Sequence, residues 1–221
     1  MTAFLLIRHA AHDWLGKTLI GRARGFPLND VGRSQAAQLG QRLAGISAAV
    51  YSSPMERCRE TAELLAAPER SSIYPEDAFN EVDFGEWTGS SFEALESDPR
   101  WHRWNKTRST TGAPGGERMT EVQDRVLAGL LRLVGKHPGE IVAVVSHGDL
   151  IKAALCHFLS LSLDEIHSLE VEPACVSVLT WDAGLTDVSL VNDDGRGVVA
   201  ALPVELLPVR LASATASKSP A

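Results

Sequence analysis

Two apolar runs far apart in the chain each end in an imidazole. Phe4-Leu5-Leu6-Ile7 leads into Arg8-His9-Ala10, and Ile141-Val142-Ala143-Val144-Val145 leads into Ser146-His147-Gly148. Both runs are short, rich in branched residues and almost without polar breaks. That pattern fits a central strand covered on both faces. A buried strand has no reason to finish in a cation or a histidine unless its carboxyl edge lines a cleft, and open α/β sheets bind ligands at that edge. Two histidines and an arginine brought to one place make a phosphate-handling set.

The remaining pattern alternates strands with helices. A polar, glycine-rich stretch, 12–27, follows the first strand as a loop over the cleft. Asn29 opens a helix with apolar spacing to Leu43. A second strand covers 46–51. Ser53-Pro54-Met55-Glu56 reads as a helix start, with Ser53 as the N-cap, Pro54 in the first turn and Glu56 closing a capping box. A short strand at 72–74 and a loop at 80–89 precede the least regular part, 90–116, which holds Trp101 and Trp104. A long amphipathic helix, 117–136, leads into the second key strand, and a helix over 149–159 leaves it. Strands are expected at 175–181 and, on an edge, at 188–192. Alternation of this kind implies parallel βαβ units and a three-layer αβα sandwich with a mostly parallel central sheet. One domain is expected over 1–211, with 90–116 as a cap-like insertion and a disordered tail at 212–221.

A formal charge of −7, from 21 basic and 28 acidic residues, argues against bulk binding to nucleic acid or anionic lipid. No apolar run is long enough to span a bilayer, and the N-terminus enters a strand without a leader-like segment. Cys58, Cys156 and Cys175 are odd in number and show no metal or disulfide spacing, which fits reduced thiols in the cytoplasm.

Five segments, taken in order, resemble the histidine phosphatase superfamily, whose fold is phosphoglycerate-mutase-like. They are Leu6-Ile7-Arg8-His9; Gly21 to Leu28 with Gly32 and Gln35-Ala36; Ser52 to Ala62; Asn80 to Gly89; and Val145 to Gly148. The resemblance implies that His9 is the nucleophile, that Arg8, Arg57 and His147 bind the phosphate, and that Glu81 is the acid and base. Gly21, Arg22 and Gly148 are further candidates for substrate contact. No metal and no cofactor is implied. The chain departs from the family at Ala10, Ala11 and His12, where glycine, glutamate and threonine or serine are frequent, and at Leu15, where many members carry a phosphate-contacting asparagine.

The chemistry of these residue types agrees. A neutral imidazole attacks phosphorus, and neighbouring arginines disfavour its charged form. Planar guanidinium forks suit phosphate oxygens. A carboxylic acid protonates the leaving oxygen and later activates water; Glu81 is expected at the pocket mouth, apart from the arginines. His12 and Trp14 stand either as walls of the site or as packing within the loop. Only 66 positions separate Glu81 from His147, short for a cofactor-dependent mutase. The expected activity is therefore hydrolysis of a small phosphate monoester, with a phosphoglycerate-mutase-type phosphomutase or a phospholigand-binding protein as alternatives. Arg100 to Arg108 is expected to shape substrate choice, either with one or two of its basic groups, tested at His102, Arg103 and Lys106, reaching a second anionic group, or with Trp101 and Trp104 anchoring the cap to the core and the charges facing solvent. The oligomeric state is not legible.

Overall fold

In the computed structural model, which describes residues 1–46, 48–66 and 72–208, the two apolar runs are adjacent strands. β1 (Thr2–Arg8) pairs in parallel with β4 (Ile141–Ser146), and the register sets Arg8 opposite Ser146. β2 (Ala48–Ser52) lies parallel on the other side of β4, with Ser52 opposite Val145, and β3 (Ile73–Pro75) continues the parallel set. Three strands therefore end at one level, and the residues that follow them share one edge. β5 (Val176–Asp182) and β6 (Leu185–Asp193) complete a six-stranded sheet in the order β3-β2-β4-β1-β5-β6, each antiparallel to its inner neighbour. β6 starts earlier than the expected 188–192. Ala183 and Gly184 both take left-handed backbone, at φ 48° and 87°, and a two-residue turn of that hand continues both strands to their ends.

Alternate residues of the central strands feed two cores. Leu5, Ile7, Ala143 and Val145 face α1 (Asp30–Arg42), α2 (Glu56–Leu65) and α7 (Val198–Ala201). Phe4, Leu6, Val142 and Val144 face α5 (Met119–Lys136) and α6 (Gly148–Phe158). The result is the expected three-layer α/β sandwich with a mostly parallel sheet. Among the described residues, no helix is long and apolar enough to cross a membrane. The expected tail at 212–221 lies outside the described residues.

Two local expectations are corrected. The 90–116 segment contains α3 (Phe92–Leu95), capped by Ser91, and α4 (Pro99–Lys106), capped by Asp98. Trp101 and Trp104 stack 5.2 Å apart on one face of α4 and meet Trp87, so they anchor the segment to the core. The helix after β2 begins at Glu56, not at Pro54, and Ser53 does not cap it. Both side chains expected to close its first turn have partners elsewhere. The Glu56 carboxylate accepts from the amides of Gly25 and Phe26 at 2.6 and 2.9 Å, and Ser53 turns toward His147.

The loop carrying Glu81 is locked to the end of the 90–116 segment. Glu117 N–H donates to the Asp83 carbonyl at 2.8 Å, and Glu86 N–H to the Pro114 carbonyl at 2.9 Å. A Cβ on Gly85 would strike the Pro114 carbonyl, and one on Gly116 would strike that of Asp83. Gly85 also needs glycine for its φ of 51°.

Candidate active site

His9 is 3% exposed. Its backbone N–H donates to the Ser146 carbonyl at 2.8 Å, which ties it to the end of β4. Its ring Nδ1 lies 2.9 Å from the Ala10 carbonyl. A carbonyl only accepts, so Nδ1 carries the hydrogen and Nε2 keeps its lone pair. Burial, then Arg57 and Arg8, hold its pKa well below the ordinary imidazole value, so the ring is neutral at pH 7.

Arg8 and Arg57 flank it. Arg8 donates through Nη1 to the Val171 carbonyl at 2.6 Å. Gly148, at the first turn of α6, packs so closely that an added Cβ would lie 3.3 Å from the Arg8 Nε. Arg57, 1% exposed, comes from the first turn of α2. Its Nη2 donates to the Gly21 carbonyl at 2.9 Å and lies 3.0 Å from His147 Nδ1. His147 is fully buried, and its ring centroid is 5.3 Å from that of His9. Burial, followed by Arg57, keeps it neutral as well.

Glu81 sits beside these groups rather than apart from them. Oε2 is 3.3 Å from His147 Nδ1 and 3.7 Å from the Arg57 Nη2, and Oε1 accepts from the Val82 amide at 3.0 Å. Burial pushes its carboxyl up to about 7 against the pull of Arg57. An acid with that pKa exists in both forms near neutral pH, which suits it to give and take a proton.

The five principal residues thus converge, and Gly21 joins them through its carbonyl. Arg22 does not. Its Nε donates to the Glu81 carbonyl at 2.7 Å and its Nη2 to Glu117 at 2.8 Å, so it braces the loop that carries Glu81. The expected basic trio also points away from the site. His102, Arg103 and Lys106 are exposed on the solvent side of α4, and the His102 ring meets the Glu96 carbonyl at 2.7 Å. The inner face of α4 is the one occupied by the tryptophans.

A cavity of about 450 Å³ opens over His9 and Arg8. Its lining includes the apolar Leu19, Phe84, Phe92 and Trp101 and the polar Asn105, Arg108, Asp149 and Lys152. Arg108 is 3% exposed, stacks 3.8 Å over Trp104 and pairs with Asp149 at 3.2 Å. His12 is a wall residue, 5% exposed, with its ring 5.3 Å from that of His9 and its Nδ1 unpartnered among the described residues. Burial, then Arg57 and Arg8, hold its pKa down to about 4. Sequence reasoning missed the site role of Ser53, whose Oγ is 2.8 Å from His147 Nε2. It also did not separate Arg108 from its basic neighbours. Among the described residues, no three His, Cys, Asp or Glu side chains are gathered as a metal site.

Comparison with known proteins agrees with this geometry. The family model of the histidine phosphatase superfamily (branch 1) matches residues 4–194. A bifunctional protein of Mycobacterium tuberculosis is 37% identical over 200 residues, covering 88% of this chain but only 54% of that protein, so this chain spans about half the length of that relative. Phosphoserine phosphatase 1 of Hydrogenobacter thermophilus is 31% identical over 185 residues, 81% of this chain and 86% of its own. The solved structure of Bacillus stearothermophilus YhfR superimposes with a TM-score of 0.82 at 28% identity, covering 87% of this chain and 98% of that one. The chain belongs to branch 1 of the histidine phosphatase superfamily.

Proposed function

We propose that this protein hydrolyses a small phosphate monoester through a phosphohistidine formed on His9. The observation that carries the reading is the Nδ1 contact of His9 with the Ala10 carbonyl, which leaves Nε2 as the free nucleophile beside Arg8 and Arg57. Nε2 attacks phosphorus and the P–O bond to the leaving group breaks. Glu81 gives its proton to the departing oxygen. Water then attacks the phosphohistidine, passes a proton to Glu81 and releases inorganic phosphate as the P–N bond breaks. Arg8, Arg57 and His147 hold the charge on the equatorial oxygens throughout.

The leaving group would lie in this cavity, among its apolar side chains and Arg108 and Lys152. A cavity of about 450 Å³ accommodates a substrate larger than phosphate alone, one with a carbon skeleton and a polar or ionised end. Phosphoserine phosphatases among the relatives act on a substrate of that description. The domain runs over 1–211, with 90–116 as the cap that shapes this space. Three free cysteines fit a cytoplasmic location.

The test is to incubate the protein with a ³²P-labelled phosphoester and quench. The expected result is an alkali-stable, acid-labile label on the wild type and none on His9→Ala. Binding without label or phosphate release would favour a phospholigand-binding protein, and transfer to a second acceptor would favour a mutase.

A further inference from the structure

We infer that Ser53 is a positioning residue that sets the protonation pattern of His147, with Asn80 behind it. The role assigned to His147 rests on the phosphatase reading, but the hydrogen-bond logic does not. The Arg57 Nη2 has two hydrogens; one goes to the Gly21 carbonyl and the other points at His147 Nδ1, 3.0 Å away. An arginine cannot accept, which favours a lone pair on Nδ1, but Glu81 Oε2, 3.3 Å from the same nitrogen, can, so placing the ring hydrogen on Nε2 turns on the acceptor found there. The acceptor for that hydrogen is Ser53 Oγ, at 2.8 Å. The Cys58 thiol also lies near Nε2, at 3.4 Å, but it has the Ser146 carbonyl as an acceptor for its own hydrogen, at 3.6 Å. Ser53 Oγ receives a second hydrogen from the Met55 amide at 3.3 Å, which leaves its O–H directed to Asn80 Oδ1 at 3.4 Å. Asn80 Oδ1 also accepts the Glu81 amide at 2.9 Å. One chain of hydrogen bonds, buried at Ser53 and partly exposed at Asn80, thus joins the backbone of Glu81 to the ring of His147.

The consequence lies in which nitrogen meets the substrate. Nε2 is buried against Ser53 and Cys58, whereas Nδ1 faces Arg57 and Glu81. Nδ1 therefore lies on the side of Arg57 and Glu81, which line the cavity, and is the nitrogen that would meet a transferring phosphoryl group. A phosphate monoester monoanion has a second pKa near 6 and can leave its proton on Nδ1 as it enters among the arginines. His147 becomes an imidazolium and the ester becomes the dianion, so charge and protons balance. Ser53 accepts from Nε2–H before and after, so both ring hydrogens have partners in the charged state.

The experiment uses ¹⁵N-histidine-labelled protein and two variants, Ser53→Ala and Ser53→Thr, with long-range ¹H–¹⁵N spectra recorded with and without inorganic phosphate. His147 is assigned from a His147→Gln sample. The wild type is expected to show the Nε2–H tautomer when free, with Nδ1 gaining a proton as phosphate is added. Ser53→Ala should show a mixture of tautomers and a kcat at least tenfold lower with KM within about twofold. Ser53→Thr, which keeps the hydroxyl, should restore both. An Nδ1–H tautomer in the free wild type, or an unchanged tautomer in Ser53→Ala, overturns the inference. Wild-type protein with the expected spectra but no turnover of any phosphoester would instead refute the phosphatase reading and leave the role of Ser53 standing.

Discussion

The carboxyl of Glu81 should cost the fold stability, and Glu81→Gln should recover it. Burial raises this group from 4.5 to about 7. Between those values the unfolded chain has lost the proton that the folded chain retains, so stability falls as pH rises through the window. A shift of that size corresponds to about 3 kcal/mol once pH exceeds 7. Glutamine keeps an oxygen for the Val82 amide and removes the charge. Urea unfolding of wild type and variant should therefore give equal stability near pH 4.5 and a gain of about 3 kcal/mol for Glu81→Gln near pH 8. The buried histidines bias stability the opposite way on the acid side, and His147, in contact with Glu81, carries part of any difference seen below about pH 6. The same substitution should abolish turnover of alkyl phosphates and spare p-nitrophenyl phosphate in part, since its leaving group needs little protonation. A variant less stable than wild type at pH 8, or a difference that does not change with pH, would refute the reasoning.

Three further outcomes follow from the same contacts. His12→Gln should shift acid unfolding to lower pH, because the wild-type ring is held neutral when folded and takes up a proton when unfolded below its ordinary pKa; pH titration by circular dichroism measures the midpoint. Arg22→Met, which frees the Glu81 carbonyl and the Glu117 carboxylate, should lower kcat on alkyl phosphates by about tenfold or more, with a smaller loss on p-nitrophenyl phosphate. Lys152→Met should raise KM for a phosphorylated carboxylic acid and leave p-nitrophenyl phosphate unchanged, whereas the exposed changes His102→Ala, Arg103→Ala and Lys106→Ala should alter neither.

The sheet and its reactive edge were legible because the relevant signals are local. A continuous apolar run that stops at Arg8-His9 or Ser146-His147 has few meanings, and the register of β1 on β4 follows from two buried strands of similar length. Arg57 and Glu81 came from the family pattern, since nothing in their own neighbourhood sets them apart. Ser53 was misread for the opposite reason. Ser-Pro-x-Glu is a good local cap, but its hydroxyl and carboxylate have partners at His147 and at Gly25 and Phe26, far away in the sequence. Arg22 failed likewise, because only the folded chain brings Glu117 to it. In the stretch 100–108, helical spacing placed the tryptophans correctly. The side that carries the tryptophans is also the side facing the cavity, so Trp101, Asn105 and Arg108 line it and the more conspicuous charges do not.

The interlocked carbonyls around Gly85 and Gly116 give this scaffold a fixed hinge pin between the loop of Glu81 and the 90–112 interval. Positions between 90 and 112 other than the buried anchors Trp101 and Trp104 can change while 83–86 and 113–117 stay seated on each other. On the phosphatase reading, chimaeras that swap only the interval inside this pin should inherit the donor's ester preference at the recipient's rate, with Glu81 not re-aimed.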